Sequence, residues 1–209
     1  MKIELLYFNH NCNTYLIAND HNECLLIDPG FNHDNCLIKA INERHLTLKA
    51  ILLTHAHYDH IEALRSIKNI PVYVFEGEDK SLSNERYNCS VMSDNPFEIS
   101  DVKVITFKEG KLNVIGIEFE VIHTPFHTSG SVCFYLKDCG VVFTGDTLFL
   151  HAIGRYDLPT STPRLISNSL NKLFKLPHEE NNDTVVYPGH GSKTTLSREY
   201  RFLKQEYLN

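Results

Sequence analysis

The chain has no apolar run long enough to span a bilayer. Its longest, such as Ala50–Leu53, fall far short of the roughly 20 residues a membrane helix needs. The opening Met1-Lys2-Ile3-Glu4-Leu5 carries an acid inside its apolar stretch, which makes a poor secretory signal. A basic excess is also missing. The formal net charge of −6 excludes a broad cationic face for nucleic acid. Cys-x-x-Cys pairs are absent as well. The six cysteines, at positions 12, 24, 36, 89, 133 and 139, are scattered, several within strand-like apolar runs where a thiol packs as a small hydrophobe. A disulfide framework is therefore not expected, and a reduced, cytoplasmic setting is. Linkers, low-complexity tracts and short repeats are lacking, which leaves one domain over residues 1–209 as the expectation.

Histidine, by contrast, is abundant, with 12 residues in 209. Their placement carries the argument. Strands are expected at Ile3–Tyr7, Thr14–Ala18, Glu23–Ile27, Ala50–Leu53 and Pro71–Val74. In the second half they are expected at Val114–Ile122, Ser131–Leu136, Gly140–Phe143 and Thr184–Tyr187. Helices are expected over Asp34–Arg44, Asp59–Ile67, Thr162–Lys175 and Ser197–Leu208. The third of these starts with Thr162 as N-cap and Pro163 at the first helical position. The polar stretch Glu76–Asn95 reads as surface loop or short helix. Two strand clusters, each followed by helices, suit packed sheets with helices outside.

Four apolar strands end at potential ligands. Ala50–Leu53 leads to His55-Ala56-His57-Tyr58-Asp59-His60, and Phe119–Ile122 leads to His123 and His127. Val141–Phe143 leads to Asp146, and Thr184–Tyr187 leads to His190. Ligands at the ends of rigid strands have little conformational entropy left to lose on binding. Imidazole and carboxylate suit zinc, iron or manganese. Five histidines and two aspartates exceed what one tetrahedral ion takes, and match two ions sharing a carboxylate and a water.

His-x-His-x-Asp-His, His127 in a Thr-Pro-x-His-Thr loop, Asp146 in Gly-Asp-Thr, His190 in Gly-His, and Asp28-Pro29-Gly30 after an apolar strand together resemble the metallo-β-lactamase superfamily. The resemblance implies an α/β fold, a four-layer αββα sandwich with the metal site at one edge of two packed sheets. It implies two divalent metal ions, most simply zinc, with iron or manganese as alternatives. His55, His57 and His127 would bind one ion; Asp59, His60 and His190 would bind the other; Asp146 would bridge them. His123 resembles the histidine that precedes the liganded one and is read as a supporting imidazole. A hydroxide shared between two ions roughly 3.5–4 Å apart would attack the substrate, with Asp59 orienting it and moving the proton.

Gly145–Phe149, Ile153–Pro159 and Val186–Gly191 look like the small glyoxalase II-like hydrolases, which cleave hydroxyacyl-glutathione thioesters to an acid and a thiol. The chain departs from that pattern at Phe126, where glycine is common, and at His151-Ala152, where Gly-Ser is common. These departures make Phe126 and His151 candidate substrate contacts. His151 can equally be an exposed loop imidazole. Arg155 is a candidate anchor for a substrate carboxylate, or else half of a structural pair with Asp157. Only 19 residues follow His190, so the C-terminal helical domain of larger glyoxalase II enzymes is not expected. Two other readings stand beside the thioesterase: a one-iron persulfide dioxygenase using His55, His127 and Asp146, and a metal-binding module without turnover. The expected partner is a small thioester or related molecule, with no nucleic acid and no membrane, acted on by a monomer or homodimer.

Overall fold

A computed structural model describes residues 1–6, 12–179 and 181–208. The chain divides into two compact units, residues 1–107 with 113–117, and residues 108–112 with 118–209.

The first sheet has six strands in chain order: β1 (Lys2–Leu6), β2 (Thr14–Ala18), β3 (Glu23–Ile27), β4 (Thr47–Leu52), β5 (Val72–Phe75) and β6 (Val104–Phe107). Pairing is antiparallel from β1 to β3 and parallel from β3 to β6. In β4, Ala50–Leu52 is buried without alternation, as a strand flanked by parallel neighbours and covered on both faces requires. Parallel pairing also brings the carboxyl ends of β3 and β4 to the same edge of the sheet. The helices are α1 (Cys36–Glu43), α2 (Tyr58–Ile61) and α3 (Asp79–Leu82). Leu37 and Ile41, one turn apart, put the apolar stripe of α1 into a core with Leu16, Leu26 and Ile51.

The second sheet contains β7 (Gly110–Val114), β8 (Ile117–His123), β9 (Val132–Leu136), β10 (Val141–Gly145), β13 (Val185–Pro188) and β14 (Thr194–Thr195), with β11 (His178–Glu179) and β12 (Asn182–Asp183) forming a separate pair. Its order is β14-β13-β10-β9-β8-β7. β10 runs parallel to β13 and antiparallel to β9, and β9 runs antiparallel to β8. Hence β8, β10 and β13 point the same way and deliver their carboxyl ends to one edge. Helices α4 (Ile166–Leu173) and α5 (Leu196–Tyr207) bury Ile166, Leu170, Leu173, Leu196 and Leu203 against Val142 and Val186.

Several local expectations are corrected. Tyr7, the last residue of the expected first strand, lies outside the described residues. The helix expected from Asp34 begins at Cys36, because Asp34 and Asn35 take left-handed φ values of 52° and 56°. The helix expected over Asp59–Ile67 is α2 followed by a 3-10 turn, Glu62–Arg65. Ala63 N–H donates to the Pro29 carbonyl at 3.1 Å instead of continuing the α-helix. Thr162 makes no side-chain capping bond, although Pro163 does open its helix. Val114–Ile122 is two strands joined by a turn with Ile115 at φ 52° and Gly116 at φ 79°, and β6 was not expected at all. Glu76–Asn95 contains the expected short helix, α3, but is not all surface: Glu78, Ser81, Asn88 and Ser90 are buried within it. Among the described residues, no helix is long and apolar enough to cross a membrane.

Candidate metal centre

In the first unit the ligand candidates occupy the five-residue link from β4 to α2 and α2 itself. His55, His57 and His60 are buried, with 1%, 4% and 0% exposure. The rings of His55 and His57 lie 4.7 Å apart between centroids, and those of His55 and His60 lie 4.1 Å apart. Asp59 Oδ2 is 3.9 Å from His60 Nε2.

One buried carboxylate organises this group. Asp28, directly after β3, accepts the Thr54 N–H at 2.8 Å on Oδ1 and the Thr54 hydroxyl at 2.6 Å on Oδ2. His60 Nδ1 lies 3.1 Å from the same Oδ2. Since the Thr54 hydroxyl has given its proton to Asp28, it can only accept from His55 Nδ1, 3.1 Å away. Both imidazoles therefore turn Nδ1 towards these partners and Nε2 away from them. The Cys12 thiol and the Thr14 hydroxyl donate to the Asp28 carbonyl at 3.2 and 2.8 Å. Burial pushes the Cys12 thiol up from its ordinary range, with His60 opposing. Gly30 lets the chains meet: a Cβ there would sit 1.8 Å from the Asp59 carbonyl oxygen. On the other side of the loop, Glu78 accepts the Ala56 N–H at 3.1 Å, and the Asn88 carbonyl accepts the Tyr58 N–H at 2.7 Å.

In the second unit His127, Asp146 and His190 follow β8, β10 and β13. His127 Nε2 lies 3.4 Å from Asp146 Oδ2, and His190 Nε2 lies 3.6 Å from Asp146 Oδ1. The other nitrogen of His127, Nδ1, donates to the Arg155 carbonyl at 2.7 Å, which fixes the ring with Nε2 towards Asp146. Gly154 makes this approach possible, because a Cβ there would fall 1.9 Å from the Asp146 carbonyl oxygen. A hydrogen bond of 2.8 Å between the Thr124 and Thr147 hydroxyls ties the His127 loop to the Asp146 loop. The Gly189 N–H donates to the Gly145 carbonyl at 2.7 Å and ties in the His190 loop.

These donors fit a divalent ion. Ligand atoms 3.4–3.6 Å apart are too long for strong hydrogen bonds. Two metal–ligand bonds of about 2.1 Å at a tetrahedral angle set their ligand atoms roughly 3.4 Å apart. Imidazole Nε2 and carboxylate oxygen are the donor chemistry that zinc, iron and manganese share.

The remaining expected residues fall elsewhere. His123 Nε2 donates to the Ser129 carbonyl at 3.0 Å, a structural tie. Phe126 is corrected as a substrate contact: with 0% exposure it lies in the core of the second unit, against residues such as Leu148 and Leu170. Burying that large apolar ring fixes the backbone just before His127. His151 packs its ring on Phe202, 4.5 Å between centroids, and faces Arg198 at 3.1 Å. The Arg155 guanidinium makes a two-pronged pair with Asp157, at 2.9 and 3.1 Å, on the exposed surface. Asp28 and Glu78 were missed as supporting carboxylates. A signal existed for Asp28, a carboxylate at the end of an apolar strand like Asp146; none existed for Glu78, which sits in a polar stretch.

Comparisons with known proteins agree with this chemistry. The sequence model of the metallo-β-lactamase superfamily matches residues 8–190. The chain is 36% identical over 193 residues to the probable metallo-hydrolase YqgX of Bacillus subtilis, covering 90% of this chain and 88% of that one. It is 34% identical over 214 residues to hydroxyacylglutathione hydrolase GloC of Haemophilus influenzae, covering 96% of each. Among solved structures, BLEG-1 B3 metallo-β-lactamase aligns with a TM-score of 0.83 and 34% identity over 96% of this chain and 97% of the other. TTHA1623 in a di-iron-bound form aligns with a TM-score of 0.80 and 33% identity over 97% and 98%. The fold expected from the ligand motifs, the α/β metallo-β-lactamase fold, is thus shown, and the chain belongs to the metallo-β-lactamase superfamily.

Proposed function

We propose that this protein is a metal-dependent thioesterase that cleaves hydroxyacyl-glutathione-type thioesters, acting as one domain over residues 1–209. His55, His57 and His127 would hold one divalent ion, Asp59, His60 and His190 a second, and Asp146 both. The observation that carries this reading is the preset orientation of the imidazoles. In His55 and His127 a protein partner takes Nδ1, and in His60 Nδ1 lies beside the Asp28 carboxylate, which is how metal-binding histidines are held with Nε2 towards the ion. One superfamily match spans both ligand groups, and the likeness to GloC covers nearly the full length of each chain.

When bound, the ions would supply Lewis acidity and a water that ionises near neutral pH. This chain's residues do the rest. Asp59, partly exposed at the start of α2, orients the nucleophile and holds the proton it loses at its carboxylate. The buried histidines and the Asp28 carboxylate keep the ligand cage rigid, so little reorganisation is needed during reaction. His151, Arg155 and Asp157 line an open cavity of about 510 Å³ together with Phe202, Glu206 and Tyr207. We place the thiol half of the substrate there, with the Arg155 guanidinium exchanging Asp157 for the substrate carboxylate. Zinc is the preferred occupant; iron is supported by the di-iron form of TTHA1623, and the donor set also admits manganese. The net charge of −6 favours a small-molecule substrate over nucleic acid.

The test is metal analysis of the purified protein together with turnover of glutathione thioesters, lactones, phosphodiesters, β-lactams and persulfides. Metal-dependent thioester cleavage exceeding the other activities is expected. Oxygen uptake with a persulfide, at one iron per chain, would replace this reading, as would preferred β-lactam hydrolysis. Absence of thioester turnover in the fully metallated protein would end it.

A further inference from the structure

Glu199 occupies a core position on α5. The buried stripe of that helix is Leu196, Glu199 and Leu203, so a carboxylate stands between two leucines with 0% exposure. A charge in such a place is costly without hydrogen-bonding partners. Its partners are specific. Oε1 accepts the Thr194 hydroxyl at 2.6 Å, and Oε2 accepts the His151 N–H at 2.8 Å. Thr194 is on β14 and pairs with Val186 on β13, the strand that runs into His190. His151 belongs to the loop that follows Asp146. That loop also presents the Arg155 carbonyl to His127 and brings Gly154 against Asp146.

The conformation of His151 supports a deliberate anchor. Its φ of 59° lies in the left-handed region, unfavourable for a residue with a side chain. It is held there by the Glu199 carboxylate on its N–H, by Arg198 on its Nε2 and by Phe202 against its ring.

We propose that Glu199 is a positioning residue that fastens the His151–Arg155 loop to β14 and so sets the geometry of His127, Asp146 and His190 without touching the substrate. This rests on the reading of those three residues as metal ligands. The carboxylate acts through its two hydrogen bonds, so a side chain of the same shape that can form both will replace it. The amide of glutamine can accept from the His151 N–H and donate to Thr194 Oγ1. Alanine can do neither.

The experiment compares wild type with Glu199→Ala, Glu199→Gln and Thr194→Val, which exchanges only the hydroxyl for a methyl. Zinc affinity is measured by chelator competition. The His127 Nδ1 proton is followed by nitrogen-15 NMR in the metal-free protein, a readout independent of activity and of metal. Glu199→Ala is expected to weaken zinc binding about 10–100-fold, the range usual for outer hydrogen-bond partners of metal ligands. It should also speed exchange of the His127 Nδ1 proton. Thr194→Val should move both readouts part of the way, and Glu199→Gln should restore both. If Glu199→Ala does not fold, Thr194→Val and Glu199→Gln carry the comparison. Unchanged affinity and proton exchange in either disruptive variant, whatever its melting temperature, overturns the proposal. Normal His127 proton behaviour in a wild type that binds no zinc would instead sink the functional reading.

Discussion

His127 is held by the backbone of Arg155, not by its side chain: Nδ1 donates to the Arg155 carbonyl at 2.7 Å, while the guanidinium points to Asp157 on the surface. Removing that side chain should therefore spare the metal ligand. Arg155→Ala is expected to leave zinc affinity and melting temperature close to wild type. It should raise KM for a carboxylate-bearing thioester by about tenfold, the scale of one lost charge-assisted hydrogen bond. A fall in zinc affinity would show that the guanidinium supports the site.

Gly30 and Gly154 stand where two backbones nearly touch. An added Cβ would lie 1.8 Å from the Asp59 carbonyl oxygen in one case and 1.9 Å from that of Asp146 in the other. Backbone cannot swing aside as a long side chain can. Alanine at either position should cost about 1–3 kcal/mol or more in urea unfolding and lower metal occupancy. Wild-type stability in both variants would mean that these contacts relax freely.

Asp28 gathers the Thr54 N–H, the Thr54 hydroxyl and His60 on one buried carboxylate. An asparagine in its place would keep one acceptor and turn an NH2 towards a donor. Asp28→Asn should weaken metal binding about 10–100-fold, read by chelator competition. Equal affinity would remove Asp28 from the ligand support.

Asp146→Ala removes the carboxylate that sits between His127 and His190. Turnover should fall about a hundredfold or more, roughly 2.7 kcal/mol in the barrier, with an unchanged circular dichroism spectrum. Chelation of the wild type should give the same loss, reversed by zinc. Near-normal turnover in a folded Asp146→Ala protein is incompatible with a shared ligand.

Asp183 gives a pH-dependent stability. Burial raises its pKa, but hydrogen bonds from the Ser197 hydroxyl and N–H and from Thr195 outweigh that and hold it below the ordinary 3.8. The Ser197 bonds, at 2.5 and 3.0 Å, place the carboxylate at the first turn of α5. A depressed carboxyl stabilises the fold fully above its unfolded value and loses that contribution as pH falls through the folded value. The stability gap between wild type and Asp183→Asn should thus be constant near neutrality and shrink below about pH 3.8. A gap that widens on acidification would contradict the assignment.

The site was more legible in the sequence than its supports. Each ligand candidate lies in the segment that follows an apolar strand, and strand ends are marked by local pattern alone. Residues such as Glu78 and Glu199 could not be recognised that way, because their roles come from partners distant in the chain: Ala56 for the one and His151 for the other. Only the position of Glu199 between Leu196 and Leu203 hinted that it was buried. The split of Val114–Ile122 was hidden for a similar reason. Ile115 is β-branched and ill suited to φ 52°, yet its carbonyl is held by the Asn19 amide at 2.9 Å, 96 residues away in the chain.

The sequence by itself determined which side chains could bind metal and which strands would carry them, since hydrophobic periodicity and ligand chemistry are local properties. Tertiary structure decided which nitrogen of His55 and His127 the protein itself holds, that Phe126 turns into the core, and that Asp28 stands beside His60. Those outcomes depend on hydrogen bonds and burial between segments far apart in the chain, and no local pattern encodes them.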